Sequence, residues 1–305
     1  MVGRGTRIGV DLGGTKIEIA ALGPDGRTLV RRRAPSPGSY ADTIRSLREM
    51  VGAVEAELNA HCSVGVGIPG AISPATGLVK NANSTWLIGH AFDKDLGAAL
   101  ERLVRVANDA NCFPLSEAVD GAGKGARTVF GAIIGTGTGG GIAVEARVLT
   151  GPNAIAGEWG HNPLPWPNAD EFPGPECYCG RRGCIETWCS GPGLAREFAD
   201  VTGRRTSAAE IALAAQEGDA AANAALSRYE HRLGKALASL INVLDPDVVV
   251  LGGGLSNLDR LYTALPSIVA AYAFSDMVAT PVVKNVWGDS GGVRGAAWLW
   301  GPEEA

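Results

Sequence analysis

The sequence reads as a two-domain α/β protein in which one plan of strand, glycine turn and strand is used twice. Three observations carry that reading. The chain has 305 residues, about two domains at the usual ~150 residues each. Apolar residues alternate around a glycine turn at 7–21, and the same pattern returns at 129–149 as VFGAIIGTGTGGGIAVEARVL. Between and after these hairpins, short apolar strands alternate with helical periodicity, as in α/β folds.

The elements follow in order. Arg7–Ala21 is two strands flanking Gly13-Gly14, and Asp25-Gly26 marks a further hairpin turn. Ile44, Leu47, Val51, Val54 and Leu58 fall on one helical face over Tyr40–His61. Ser63–Ile68 is a short apolar strand stopped by Pro69-Gly70, and Leu103–Ala107 is another, ending in Asn108-Asp109. Asp109–Gly121 reads as a helix with an acidic N-terminal cap. A third glycine turn closes the strand DVVVLGGG at 247–254, with a helix beyond Asn257. Residues 221–244 form a long helix with an apolar face that serves either the core or a dimer seam.

Composition excludes several classes. Apolar residues make up 46% and charged residues 19%, which is globular. A net charge of −5 argues against a nucleic-acid surface. The one basic cluster, Arg31-Arg32-Arg33, reads as a solvated strand edge. No apolar run approaches the ~20 residues of a membrane span, and no secretory h-region precedes the first glycine turn. Six cysteines without a signal peptide fit a reducing, cytoplasmic setting.

The densest chemistry lies at 157–188. His161 precedes Cys177, Cys179 and Cys184, four soft N/S donors at spacings suited to a closed tetrahedral zinc site. Cys177 and Cys179 sit too close in sequence for an unstrained disulfide, and the glycines of Gly180-Arg181-Arg182-Gly183 can turn the chain. A disulfide cluster or inert buried thiols is the alternative. Cys189 ranks below Cys184 as a ligand, and Cys62 and Cys112 read as buried. The glycine turns let backbone N–H groups approach phosphate oxygens, yet none matches GxGxxG in a βαβ unit or a P-loop.

Together, DLGGTK at 11–16, GTGTGGG at 135–141, EWGH with CYCGRRGC, and VLGGG at 250–254 resemble the ROK family of sugar kinases. The resemblance spans Ile8 to Trp300. It implies a two-domain actin/hexokinase/Hsp70-like (ribonuclease H-like) fold with an inter-domain cleft for ATP and a zinc knuckle over 161–184. The first domain is expected at 1–118, with a C-terminal helix at 292–300 packing back on it, and the second at 119–291. Closure over the sugar would exclude water as a competing acceptor. KNANSTWLIGHAFDKDL at 80–96, ANDANCFPLSEAVDGA at 107–122 and GEWGHNPLPW resemble the bacterial fructokinase (manno(fructo)kinase) branch. The implied reaction is ATP-dependent phosphorylation of fructose, or mannose, to the 6-phosphate. A glucokinase or N-acetylhexosamine kinase of the same family is the alternative. A non-catalytic sugar sensor or a DNA-binding repressor is disfavoured, because DLGGTK begins at Asp11 and the charge is acidic.

Roles follow from the resemblance. Asp109, which alone would read as an N-cap, resembles the family's catalytic base toward the sugar hydroxyl. Gly13, Gly14, Thr15 and Lys16 would form the first phosphate hairpin, Gly135, Thr136 and Gly137 the second, and Gly252, Gly253 and Gly254 the adenosine-side turn. Asp11 resembles the acid that holds Mg²⁺ through water, or else caps its own turn. Gly70, Asn83, Asn108, Asp109, Glu158, His161 and Glu186 would grip the sugar, since an unpaired buried hydroxyl costs about 1–3 kcal/mol. One ring nitrogen of His161 would hold zinc while the other points at a sugar hydroxyl. Surface charge is the plainer reading of Glu158 and Glu186. Trp159, Trp166 and Trp188 read as core or interface packing. A homodimer is expected.

Overall fold

The computed structural model describes residues 5–301 and 304, so residues 1–4 of the expected first domain lie outside the described residues. β1 (Arg7–Leu12), β2 (Lys16–Leu22) and β3 (Thr28–Pro35) lead to α1 (Tyr40–Leu58) and β4 (Ser63–Ile68). The two-residue strands β5 (Ala71–Ile72) and β6 (Val79–Lys80) precede α2 (Phe92–Leu100), β7 (Val104–Asn108) and α3 (Asp109–Asp120). Then come β8 (Thr128–Ile134), β9 (Thr138–Val144), β10 (Arg147–Val148), α4 (Ile185–Cys189), α5 (Gly191–Thr202) and α6 (Ala208–Gln216). The chain continues with α7 (Ala220–Leu244), β11 (Val248–Gly252), α8 (Arg260–Tyr272), β12 (Val282–Lys284) and α9 (Gly291–Trp298).

Two five-stranded sheets repeat one order, β3-β2-β1-β4-β7 and β10-β9-β8-β11-β12. In the first, β1 is antiparallel to β2 and parallel to β4, which is parallel to β7. In the second, β11 runs parallel to β8 and β12, and β10 antiparallel to β9. The recurring hairpins are thus the leading strands of two sheets built alike. On the first sheet's edge, Arg31 and Arg33 of β3 both bond the buried Glu18, while Arg32 pairs with Glu57. Charges on an edge strand discourage pairing with another chain.

The chain divides into two compact units. One runs up to Gly125, adds Gly141–Ala156 and resumes from Val286; the other comprises Ala126–Gly140 and Gly157–Asn285. These limits differ from the expected 1–118 and 119–291, and the buried Glu117 of α3 supplies one reason. Its carboxylate accepts N–H bonds from Ala122, Val286 and Trp287, binding both segments to the first unit. Gly141 supplies another, since a Cβ there would stand 2.7 Å from the Ala110 carbonyl oxygen and the Asn111 side chain.

Capping sets the helix limits. α1 starts at Ser39, whose side chain accepts the Asp42 N–H, and stops at Asn59 in the left-handed conformation (φ 47°), short of the expected His61. α3 is capped by Asn108 rather than by Asp109: the Asn108 side chain accepts the Ala110 N–H at 2.9 Å, which leaves Asp109 in the first turn. α9 seals the first sheet through glycine. A Cβ on Gly9 of β1 would lie 2.0 Å from the Val293 carbonyl oxygen, and one on Gly65 of β4 1.9 Å from that of Ala296. On the helix itself, a Cβ on Gly295 would lie 1.7 Å from the Cys112 carbonyl oxygen of α3.

In the second unit, α7 is buried over much of its length and carries charge inward. Lys235, wholly buried, and Arg232 both bond Glu171, and Lys235 also donates to the Trp166 carbonyl. The Arg232 guanidinium lies 4.5 Å from the centre of the Trp188 ring. Among the described residues no helix is long and apolar enough to cross a membrane. We expect Gly295→Ala to lose about 3 kcal/mol or more of stability, since the added methyl meets backbone rather than a yielding side chain. Urea unfolding followed by circular dichroism measures it.

Candidate active site

Ligands of α/β sheets gather beyond the carboxyl ends of parallel strands, and the first unit groups its expected site residues there. β1 ends beside Asp11 and leads into Gly13–Lys16. That hairpin is closed by the Gly13 N–H to the Lys16 carbonyl at 3.0 Å and buttressed by Ser36, which bonds Thr15 and Gly13. β4 leads to Gly70, where φ is +145° and a Cβ would meet the Lys80 carbonyl oxygen at 2.7 Å. β7 ends in Asn108 and Asp109. The Asn108 amide donates to the Gly70 carbonyl at 3.1 Å, so two of the expected sugar residues hold each other.

Asp109 is half-buried in the first turn of α3, where the helix dipole favours a carboxylate, and its Oδ1 takes the Ala110 N–H at 2.7 Å. Burial, then Glu18, push the Asp11 carboxyl up, against the pull of Lys16. The Cys112 thiol beneath is raised by burial and by both Asp11 and Asp109, placing the two aspartates in one neighbourhood. Asn83 is exposed next to Ser84, whose buried hydroxyl finds no partner among the described residues.

The second unit groups the remaining residues. After β8 the turn is closed by the Gly135 N–H to the Gly137 carbonyl at 2.9 Å. α4 and the first residue of α5 clasp this turn from its two ends. The Glu186 carboxylate accepts the Thr138 N–H at 2.9 Å, and the Gly191 N–H reaches the Gly135 carbonyl at 2.7 Å. A Cβ on Gly137 would stand 2.7 Å from Glu186 Oε2. Glu186 is therefore a wall of the glycine turn, a contact its reading as a sugar ligand did not include. Beside this turn lies Gly252–Gly254, because β8 and β11 are parallel neighbours with Gly252 opposite Ile133. Gly253 has φ +81°, and a Cβ on it would meet the Ile134 carbonyl oxygen at 2.5 Å.

Below the turn sits the knuckle. His161 ends a short 3-10 turn from Trp159, and bridges pair Pro163 with Cys184 and Glu176 with Arg182. Gly180 and Gly183 take φ +85° and +68°. The donor atoms of His161, Cys177, Cys179 and Cys184 all lie within 4.8 Å of one another. Cys177 Sγ is 3.6 Å from His161 Nδ1, and Cys179 Sγ is 3.6 Å from Cys184 Sγ. That is close to the edge of a tetrahedron with bonds of about 2.0–2.3 Å, and far from the ~2.05 Å of a disulfide. The donor set fits zinc. The Arg181 N–H leads the effects that lower Cys179 to about 7, whereas burial leads those that push Cys184 up to about 12. Cys189 stands apart from the cluster, wholly buried. Trp159 and Trp188 are core residues, while Trp166 is half-exposed against Tyr272.

Glu158 is exposed at the start of the 3-10 turn. The nitrogen of His161 expected to face a sugar, Nε2, lies 3.0 Å from the Tyr178 hydroxyl. Sequence reasoning passed over Tyr178, although its place between two thiol ligands was visible.

A family model described as "ROK family" matches residues 7–303. The chain belongs to the ROK family of sugar kinases. An N-acetyl-D-glucosamine kinase of Yersinia pseudotuberculosis is 38% identical over 296 residues, covering 95% of this chain and 97% of that one. A ROK hexokinase from Thermus thermophilus superposes with a TM-score of 0.85 at 31% identity, over 96% of this chain and 97% of that one. A ROK glucokinase from Streptomyces griseus, solved with glucose and AMPPNP, gives 0.77 at 26% identity, over 97% and 99%. The curated relative carries a different sugar in its name from the fructose expected by resemblance.

We expect Gly253→Ala to cost about 2 kcal/mol or more, combining the strain of positive φ with backbone overlap. A drop in melting temperature measured by calorimetry checks it.

Proposed function

We propose that this chain transfers the γ-phosphoryl group of ATP to a hydroxyl of a hexose. The observation that supports it best is Asp109, set in the first turn of α3 at the end of β7, in the same sheet as the strand β1 that leads into Gly13–Lys16, on a chain whose relatives include sugar kinases. Asp109 takes the proton of the attacking hydroxyl as the phosphoryl group leaves ADP. Backbone N–H groups of Gly13–Lys16 and Gly135–Gly137, with the Lys16 ammonium, share the charge on the phosphates, and Gly252–Gly254 let the adenosine lie against backbone. Asp11 is a hard oxygen donor of the kind magnesium takes, and the ion would neutralise phosphate charge. Asn83, Asn108, Gly70, Glu158, His161 and Glu186 orient the sugar. His161, Cys177, Cys179 and Cys184 would hold a structural zinc, which would fix where α4 begins.

N-acetylglucosamine is the favoured acceptor, on the strength of the 38%-identical relative. Fructose is the second reading, supported by the wording of 80–96, 107–122 and 157–166. A coupled ATP assay over N-acetylglucosamine, fructose, mannose and glucose ranks them, and no turnover on any of the four refutes the proposal. We expect Asp109→Asn to reduce kcat by about 10²–10⁴-fold with sugar affinity largely kept; undiminished turnover would remove its role. Elemental analysis of freshly purified protein should find one zinc per chain, lost in Cys184→Ser with a fall in melting temperature. Absence of stoichiometric metal from the unaltered protein would exclude the knuckle as a zinc site.

A further inference from the structure

Tyr178 is out of place for a large aromatic side chain. It is 81% exposed, yet its hydroxyl turns inward onto His161 Nε2 at 3.0 Å, and the two rings meet edge-on with centroids 5.1 Å apart. An imidazole that gives Nδ1 to a metal carries its proton on Nε2 and has one N–H to donate. Nδ1 is the nitrogen that faces Cys177 Sγ. With zinc on Nδ1, that single Nε2–H would be donated to the Tyr178 oxygen 3.0 Å away, and a sugar hydroxyl accepting from the same nitrogen would have to take that oxygen's place.

We propose that Tyr178 is a side-chain gate on His161, which a sugar hydroxyl displaces when it binds. The inference rests on the sugar-kinase reading and on the assignment of His161 to the sugar. The exchange costs little. One hydrogen bond replaces another, and the exposed ring has few packing contacts to lose. The backbone need not move, because Cys177 and Cys179 on either side are tied into the knuckle, the Cys177 N–H to the Arg181 carbonyl and the Gly180 N–H to the Cys177 carbonyl. Rotation about the Tyr178 side-chain bonds is enough. The gate taxes every sugar that uses His161, and taxes least the one whose hydroxyl best reproduces the lost bond, so it contributes to selectivity.

The sign of one substitution decides the matter. Tyr178→Phe keeps the ring and removes the oxygen that competes for Nε2. We expect its dissociation constant for N-acetylglucosamine or fructose, titrated calorimetrically without nucleotide, to fall about two- to tenfold. Zinc content should be unchanged. If the Tyr178 hydroxyl instead bonds the sugar, affinity weakens, and either weakened or unchanged binding overturns the gate. A second measurement separates the same alternatives in the unaltered protein. Saturating sugar should speed nitration of Tyr178 by tetranitromethane, read by peptide mass spectrometry, because the displaced phenol swings into solvent. Slower or unaltered nitration overturns the proposal. Should the unaltered protein bind none of the four sugars, the kinase reading fails first and the gate falls with it, a result distinct from sugar binding that ignores Tyr178.

Discussion

The second unit depends on how α4 is clamped. This five-residue helix begins immediately after Cys184, a member of the thiol and imidazole cluster. Its first turn carries Glu186 to the Thr138 N–H, and just past its end the Gly191 N–H meets the Gly135 carbonyl. A helix this short has no stability of its own. Its position is set by the knuckle at one end and by the glycine turn at the other. The knuckle thereby determines the shape of a backbone loop, not only the fold of its own segment, and the neighbouring turn at Gly252–Gly254 rests against the same loop through Gly253.

Glycine does two separate jobs in this protein. In Gly253, Gly180 and Gly183 it supplies positive φ, which turns the chain where a side chain would be strained. In Gly9, Gly65 and Gly295 it supplies nothing but absence of bulk, letting helix backbone come down onto strand and helix backbone. Only the first kind announces itself in sequence, by sitting in runs between strands. The second kind hides inside ordinary strand and helix patterns, which is why the role of α9 in sealing the first sheet is much clearer in three dimensions than in the string.

Much of the fold was legible. The two hairpins, the strand at Ser63–Ile68 and the helix at 221–244 all stand within a residue or two of where periodicity and turn residues put them. The misses have local causes. Asn59 ended α1 early by adopting a left-handed conformation, which neither the apolar spacing nor the residue's identity demanded. Asn108 took the cap that Asp109 was expected to provide, because both residue types cap well and only the backbone chooses between them. The compact units depart from the expected limits partly because Glu117 gathers N–H groups from a segment more than 160 residues away, a contact without any pattern in sequence. At the site, residue types and spacing pointed to the four donors of the knuckle, and the structure draws them together. Which atom each side chain spends, and on whom, was not readable: Glu186 on a backbone amide, His161 Nε2 on Tyr178.

The first unit is discontinuous, and its last piece comes after all of the second. α9 lies against β1 and β4 through contacts too close for any side chain between them, so that sheet face stays open until residues 291–298 are available. During synthesis from the N-terminus, β1 and β4 must wait for a helix made only after the second unit. The second unit, mostly one uninterrupted stretch from Gly157 to Asn285, can mature sooner. On the ribosome the second unit can therefore have all of its chain before the first has its last piece.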